Sequence, residues 1–185
     1  MNLKKHKSDV SLRNRLRQDT RKAHEMLDNA VGALDLSKYQ DFCIYAQAHY
    51  AAYDYLHRKT KHQNGLMSHR RALALADLYV LGKKPKDLDM VTPQNEWNSD
   101  GLTYVIAGSH LGSKLLAKQW KMSTDTRVTS AHRLLTDHKL MDCWKMQIDK
   151  LSKMPASGSV ADHAIDSAIA CFAVFENAFN DAKVN

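Results

Sequence analysis

The sequence predicts an all-α, single-domain protein, and three observations carry that expectation. Turn formers are scarce, with 7 Gly and 3 Pro in 185 residues, which favours long uninterrupted helices over a turn-rich β architecture. Apolar residues recur at steps of three, four or seven along most of the chain, and no stretch alternates convincingly with period two. The length suits one domain with a real core, and the apolar (44 %) and charged (25 %) fractions are ordinary for a globular chain. The expected division is a basic, flexible N-terminus over 1–10 and a helical domain over 11–183.

The first helix is expected from about Ser8 to Ala30, with Leu12, Leu16, Ala23, Leu27 and Val31 as its apolar stripe. A second opens at Ser37, where Ser37 and Gln40 have the spacing of a capping box. Its stripe is Phe42, Tyr45, Ala46, His49, Tyr53 and Leu56, and Gly65 ends the region. RRALALADLYVL (70–81) is rich in strong helix formers and stops at Gly82, with Pro85 beyond. Thr92-Pro93 reads as an N-cap with proline at the first helical position, opening a helix through Tyr104 to about Lys121. Further helices are expected over roughly Ser130–Lys153 and from Ser159 onward, the last burying Ile165, Ile169, Phe172, Phe175 and Phe179.

Several classes are set aside. The basic start MNLKKHKSDV has no apolar run after it and is not read as a secretory signal. No window approaches the ~18 apolar residues of a membrane span. Cys43, Cys143 and Cys171 are widely separated and form no CxxC pair, which fits a reducing cytoplasm rather than a disulfide framework or zinc knuckle. The net charge of +7 calls for an acidic partner. Its basic residues are interleaved with Asp and Glu and carry no nucleic-acid motif, so an anionic small molecule or an acidic protein donor fits as well.

Two segments carry the chemistry. In LRQDTRKAHEMLD, His24 lies one position from the apolar stripe, with Asp28 one turn later on the same side and Arg17 two turns earlier on nearly the same face. One ring nitrogen facing a metal and the other a carboxylate is the arrangement that orients a ligating imidazole. An interfacial histidine with a helix-stabilising carboxylate has the same spacing. In GLTYVIAGSHLGS, Gly108 and Gly112 sit one turn apart in a helical stretch, followed by Ser109 and Ser113. Helix-interior glycines cost roughly 1 kcal/mol each relative to alanine. Close helix packing would justify them, and so would a flat ligand lying on the backbone of a helix able to bend there.

LRQDTRKAHEMLD, RRALALADLYVLG, GLTYVIAGSHLGSKLL and the helix around Trp144, in that order from about Leu12 to Phe179, resemble the heme oxygenases, particularly the bacterial biliverdin-producing ones. The resemblance implies a multi-helix fold with heme sandwiched between the first, proximal helix and the central, distal one. It implies His24 as proximal ligand of the heme iron, Asp28 at the supporting carboxylate, and Gly108 and Gly112 as the distal glycines that leave room for dioxygen, bordered by Ser109 and Ser113. Arg17, Tyr104 and Lys145 fall where the family places contacts to the heme propionates. Arg70 and Asp77 look like a recurring polar pair on the third helix. Ala107 stands where many bacterial members carry an acidic residue, Ser113 replaces what is more often glycine or alanine, and His110 is expected to face away from the iron.

The implied activity is oxidative cleavage of heme, both cofactor and substrate, to biliverdin, carbon monoxide and ferrous iron. O2 and electrons would come from outside, the latter through an acidic donor such as ferredoxin or a flavin reductase. The alternative on the same scaffold is a heme-binding or storage protein without turnover. A di-metal carboxylate site would need Glu-x-x-His pairs, and that string is absent.

Overall fold

In a computed structural model the described residues, 11–60, 65–90 and 96–184, form ten helices. The expectations for 1–10, for a helix start at Ser8 and for a Thr92-Pro93 cap lie outside them. Among the described residues there is no strand, only an antiparallel bridge from Ser11 to Pro155 that ties the first helix to the end of the ninth. None of the helices is long and apolar enough to cross a membrane.

The first predicted helix is two helices, α1 (Leu12–Asp19) and α2 (Arg21–Gly32). Thr20 at the joint has φ −92° and ψ −1°, and its hydroxyl donates to the Leu16 carbonyl at 2.7 Å, a back-bond that bends helices. Leu12 and Leu16 are buried, while Ala23, Leu27 and Val31 are half-buried against the core.

The helix α3 (Tyr39–Lys59) begins two residues later than expected, and no capping box forms. The Ser37 hydroxyl instead donates to Asp35 Oδ1 at 2.7 Å, and the Asp35 amide donates to Asp41 Oδ2 at 2.8 Å. The predicted stripe from Phe42 to Leu56 is buried throughout. Gly65 does not end this region but opens α4 (Gly65–Val80). Gly82, at φ +67°, closes α4: Lys83 N–H donates to the Leu78 carbonyl at 2.9 Å, the left-handed helix end that glycine adopts most easily.

The central helix is shorter than expected at its start and broken in its middle. Trp97 and Asn98 are not helical; α5 (Ser99–Gly108) starts where the Asn98 side chain accepts from the amides of Asp100 and Gly101. Ser109 interrupts it, and α6 (His110–Trp120) follows. Gly101 is the glycine that close packing needs, because a Cβ there would collide with the Ala164 carbonyl of the last helix.

The predicted helix over 130–153 is two, α8 (Arg133–Thr136) and α9 (Lys139–Lys153), preceded by a separate short helix α7 (Thr126–Ser130) that ends where it was expected to begin. The breaks are stabilised from α4. Buried Asp77 accepts from the amides of Arg133 and Leu134 at 3.1 and 2.9 Å. Buried Arg70 donates to the Leu134 carbonyl at 2.9 Å and to Asp137 at 3.3 Å. This polar pair therefore satisfies backbone groups that a continuous helix would have satisfied itself.

The last helix, α10 (Ser159–Val184), packs its Ile165, Phe172, Phe175 and Phe179 into the core. Ile169 departs from the expected set and is 40 % exposed. The pairing of α10 with α3 is the spine of the molecule, and α2, α5 and α1 pack onto α10 around it.

Candidate functional site

A cavity of about 900 Å³ lies among α1, α2, α3, α5, α6, α9 and α10. It falls in the size range of cofactor and ligand sites.

Its outer wall is the α1–α2 face. Arg13, Arg17 and Arg21 reach it at steps of four, followed by His24 and Asp28. Arg21 is paired with Glu25 at 2.8 Å. His24 Nδ1 lies 2.9 Å from Asp28 Oδ2, so Nδ1 carries a proton toward the carboxylate and Nε2 is the ring nitrogen left for another partner. The His24 side chain is 57 % exposed, with its ring edge-on to Phe172 at 5.5 Å.

Opposite stand α5, Ser109 and α6, presenting Tyr104, Val105, Ile106, Gly108, Ser109, Leu111, Gly112 and Leu116. The two glycines are not equivalent. A Cβ on Gly112 would meet nothing within 4 Å, whereas one on Gly108 would press on the Trp144 ring at 3.1 Å. The Ser109 hydroxyl donates to the Ile106 carbonyl at 2.8 Å, capping the end of α5 at the bend. The Ser113 hydroxyl donates to the Ser109 carbonyl at 3.1 Å, and Ser113 is buried outside the cavity lining. Burial pushes the Tyr104 hydroxyl above its usual range, opposed by a hydrogen bond with Thr20 and by the charges of Arg17 and Arg13.

Other expected site residues stand apart. Lys145 is 67 % exposed, 4.0 Å from Asp142, and does not line the cavity; α9 contributes Trp144 and Ile148 instead. His110 is buried outside the lining, its Nδ1–H donating to the Ala107 carbonyl at 3.0 Å. Among the described residues no three His, Cys, Asp or Glu side chains gather to hold a metal ion, and the cysteines are free thiols.

The inner wall holds residues that periodicity had assigned only to the core. Tyr45, His49 and Tyr53, one turn apart on α3, line the cavity together with Phe172, Phe175 and Phe179. His49 Nδ1–H donates to the Tyr45 carbonyl at 2.8 Å. Burial, with the Arg70 charge adding to it, lowers its imidazole to about 3 against the backbone hydrogen bond. Tyr53 OH accepts from Arg70 Nε at 3.3 Å. The signal in the sequence was three aromatic hydrogen-bonding residues at spacing four inside an apolar stripe.

No protein-family model matches this chain, and no curated protein matches it in sequence. Among solved structures it is similar to the NO- and CO-bound heme oxygenase from Neisseria meningitidis, with a TM-score of 0.65 and 18 % identity over 94 % of this chain and 92 % of that one. At that identity the likeness is one of fold, and the chain has the all-α heme oxygenase-like fold.

Proposed function

We propose that the cavity binds heme and that the protein cleaves it oxidatively to biliverdin, carbon monoxide and ferrous iron, using O2 and electrons from an external acidic donor. The observation that carries this reading is that His24, oriented by Asp28, and the open backbone at Gly112 face the same cavity. The donor set fits heme: a neutral imidazole nitrogen for the iron, guanidinium and phenol groups for two carboxylates, and an aromatic inner wall for the apolar ring.

His24 Nε2 is the iron ligand in this reading, and Asp28 fixes the ring and its tautomer. Heme held there would supply a redox-active iron for oxygen chemistry, with His24 as the residue that holds it. Gly112 puts no side chain of its own into the opposite side of the cavity, where a Cβ would meet nothing within 4 Å. Arg17 and Arg13 on the α1–α2 wall, with Tyr104 across from them on α5, hold the propionates, while Phe172, Phe175 and Phe179 exclude water from the inner wall. A ferredoxin or flavin reductase in the cytoplasm would supply the electrons, its acidic surface matched to a chain of net charge +7.

The second reading, heme binding without turnover, is favoured by one observation. The hydroxyl protons of Ser109 and Ser113 are both engaged on backbone carbonyls. Ala107 adds no carboxylate beside them, so neither serine has a free hydroxyl proton to offer an occupant.

Hemin titration followed by visible spectroscopy tests binding. A one-to-one complex with a histidine-ligated spectrum is expected, and His24→Ala abolishes that spectrum. Its survival in His24→Ala together with its loss in His110→Ala would overturn the assignment. Adding ascorbate or a ferredoxin system in air and under anaerobic conditions separates turnover from storage, since only turnover consumes the heme bands in an oxygen-dependent way.

A further inference from the structure

We propose that α6, with the turn after it, is a membrane-surface contact that seats the rim of the cavity on a bilayer rich in anionic phospholipids. Leu111 and Leu115 lie one turn apart on α6. Lys121 keeps helical backbone at φ −62° and ψ −18°, so Met122, seven residues after Leu115, falls on nearly the same side. All three are solvent-exposed, at 59, 66 and 76 %. Lys114, Lys118 and Lys121, also exposed, form a second row at steps of four and three. From Gly101 to Thr124 the chain carries no Asp or Glu, and among the described residues none of these lysines is in an ion pair. Single exposed aliphatic side chains are ordinary; a row of them flanked by cations alone is the pattern of a helix that lies in a membrane interface.

The row starts at the cavity itself, because Leu111 is exposed and also lines the cavity beside Gly112 and Leu116. On the facing wall Arg13 and Arg17 are exposed and line it too. The acids of that wall are engaged, Glu25 by Arg21 and Asp28 by His24. Both sides of the opening therefore suit an anionic surface. A protein partner is the poorer match. Protein interfaces favour aromatic side chains and disfavour lysine, and this row holds no aromatic residue. An acidic protein is steered by charge without any need of aliphatic tips, whereas a bilayer takes both, the lysines at the headgroups and the leucine and methionine tips below them. Seated in this way, the cavity opens onto lipid, where apolar rings partition. The contact holds whatever the cavity takes up, so its failure leaves the heme reading standing.

The test is co-sedimentation of the full chain, without heme, with vesicles of phosphatidylcholine alone or with about a third phosphatidylserine. Each lysine at an anionic surface is worth about fivefold in affinity. Binding to the mixed vesicles is therefore expected to be on the order of 100-fold tighter at low salt, and to weaken as salt rises. The double variant Leu115→Gln/Met122→Gln changes two exposed positions outside the cavity lining. It is expected to bind the mixed vesicles roughly tenfold less tightly at unchanged charge. Lys114→Gln/Lys118→Gln/Lys121→Gln should abolish the preference for phosphatidylserine, while Lys38→Gln/Lys84→Gln/Lys139→Gln, the same charge change at exposed positions elsewhere, should preserve it. Equal losses from the two lysine triples, or undiminished binding by the double variant, would reduce the effect to net charge and overturn the proposal. Absence of pelleting with the mixed vesicles overturns it as well. A dimer in sedimentation, or binding of an acidic ferredoxin, that the double variant abolishes would then assign the row to a second copy or to that donor.

Discussion

Replacing Gly101 and Gly112 by alanine, one at a time, makes the same chemical change in two helices with opposite expected effects. At Gly101 the new methyl would overlap the Ala164 carbonyl and crowd the Ala168 amide at 3.1 Å, both of them backbone of α10 and unable to rotate away. Overpacking costs about 1–3 kcal/mol, and a backbone obstacle argues for the upper end. Subtracting the ~1 kcal/mol that alanine gains over glycine in a helix leaves a net loss of about 2 kcal/mol, or about 4–8 °C in Tm for a chain of this size. At Gly112 nothing lies within 4 Å, so the helix gain stands alone. Stability of the free protein should rise by about 0.5–1 kcal/mol, or about 1–4 °C. Gly112→Leu extends the argument: the helix tolerates leucine, but its branched side chain enters the cavity beside Leu116, so hemin binding should collapse while the circular dichroism spectrum is unchanged. Thermal melts of the free proteins and hemin titrations are the assays. A Gly112→Ala protein less stable than wild type, or normal hemin binding and bilin formation by Gly112→Leu, would refute the placement of this glycine on the cavity.

Two further outcomes follow from the site. Arg17 lines the cavity and Lys145 does not, so Arg17→Ala should change the biliverdin isomer ratio on chromatography and weaken hemin binding by only about tenfold. Lys145→Ala should change neither, and an isomer shift from Lys145→Ala alone would contradict the geometry. His49 has a folded-state pKa lowered by burial to about 3 from the ordinary 6.5. Between those values the unfolded chain binds a proton that the folded chain refuses, so its contribution is complete above about pH 6.5 and is lost as pH falls toward 3. Urea titrations at stepped pH should show wild type losing stability through that window more steeply than His49→Phe, and parallel profiles would show that His49 is not buried neutral.

The helical class, the order of the main segments and their buried faces were legible in the sequence because helix formation is local. A stripe such as Phe42, Tyr45, Ala46, His49 and Tyr53 repeats with the turn of the helix itself, and Gly82 marks an end because few other residues adopt its φ easily. The facing of His24 and Asp28 was legible for the same reason, since one helical turn places them together wherever the helix lies. The breaks were not legible. The segment 130–153, read as one helix, is divided because Arg70 and Asp77, far away in sequence, supply partners to its backbone. Nor could local pattern tell the glycines apart: Gly101, Gly108 and Gly112 share a helical context. Only the packed structure sets one against the Ala164 carbonyl, one against Trp144 and one against open space. Lys145 and His49 show the same limit in opposite senses, the first a basic residue near the site that turns outward, the second a core residue that turns in. Periodicity assigns a side chain to the apolar or polar face of its own helix, but what that face meets depends on other helices packed against it.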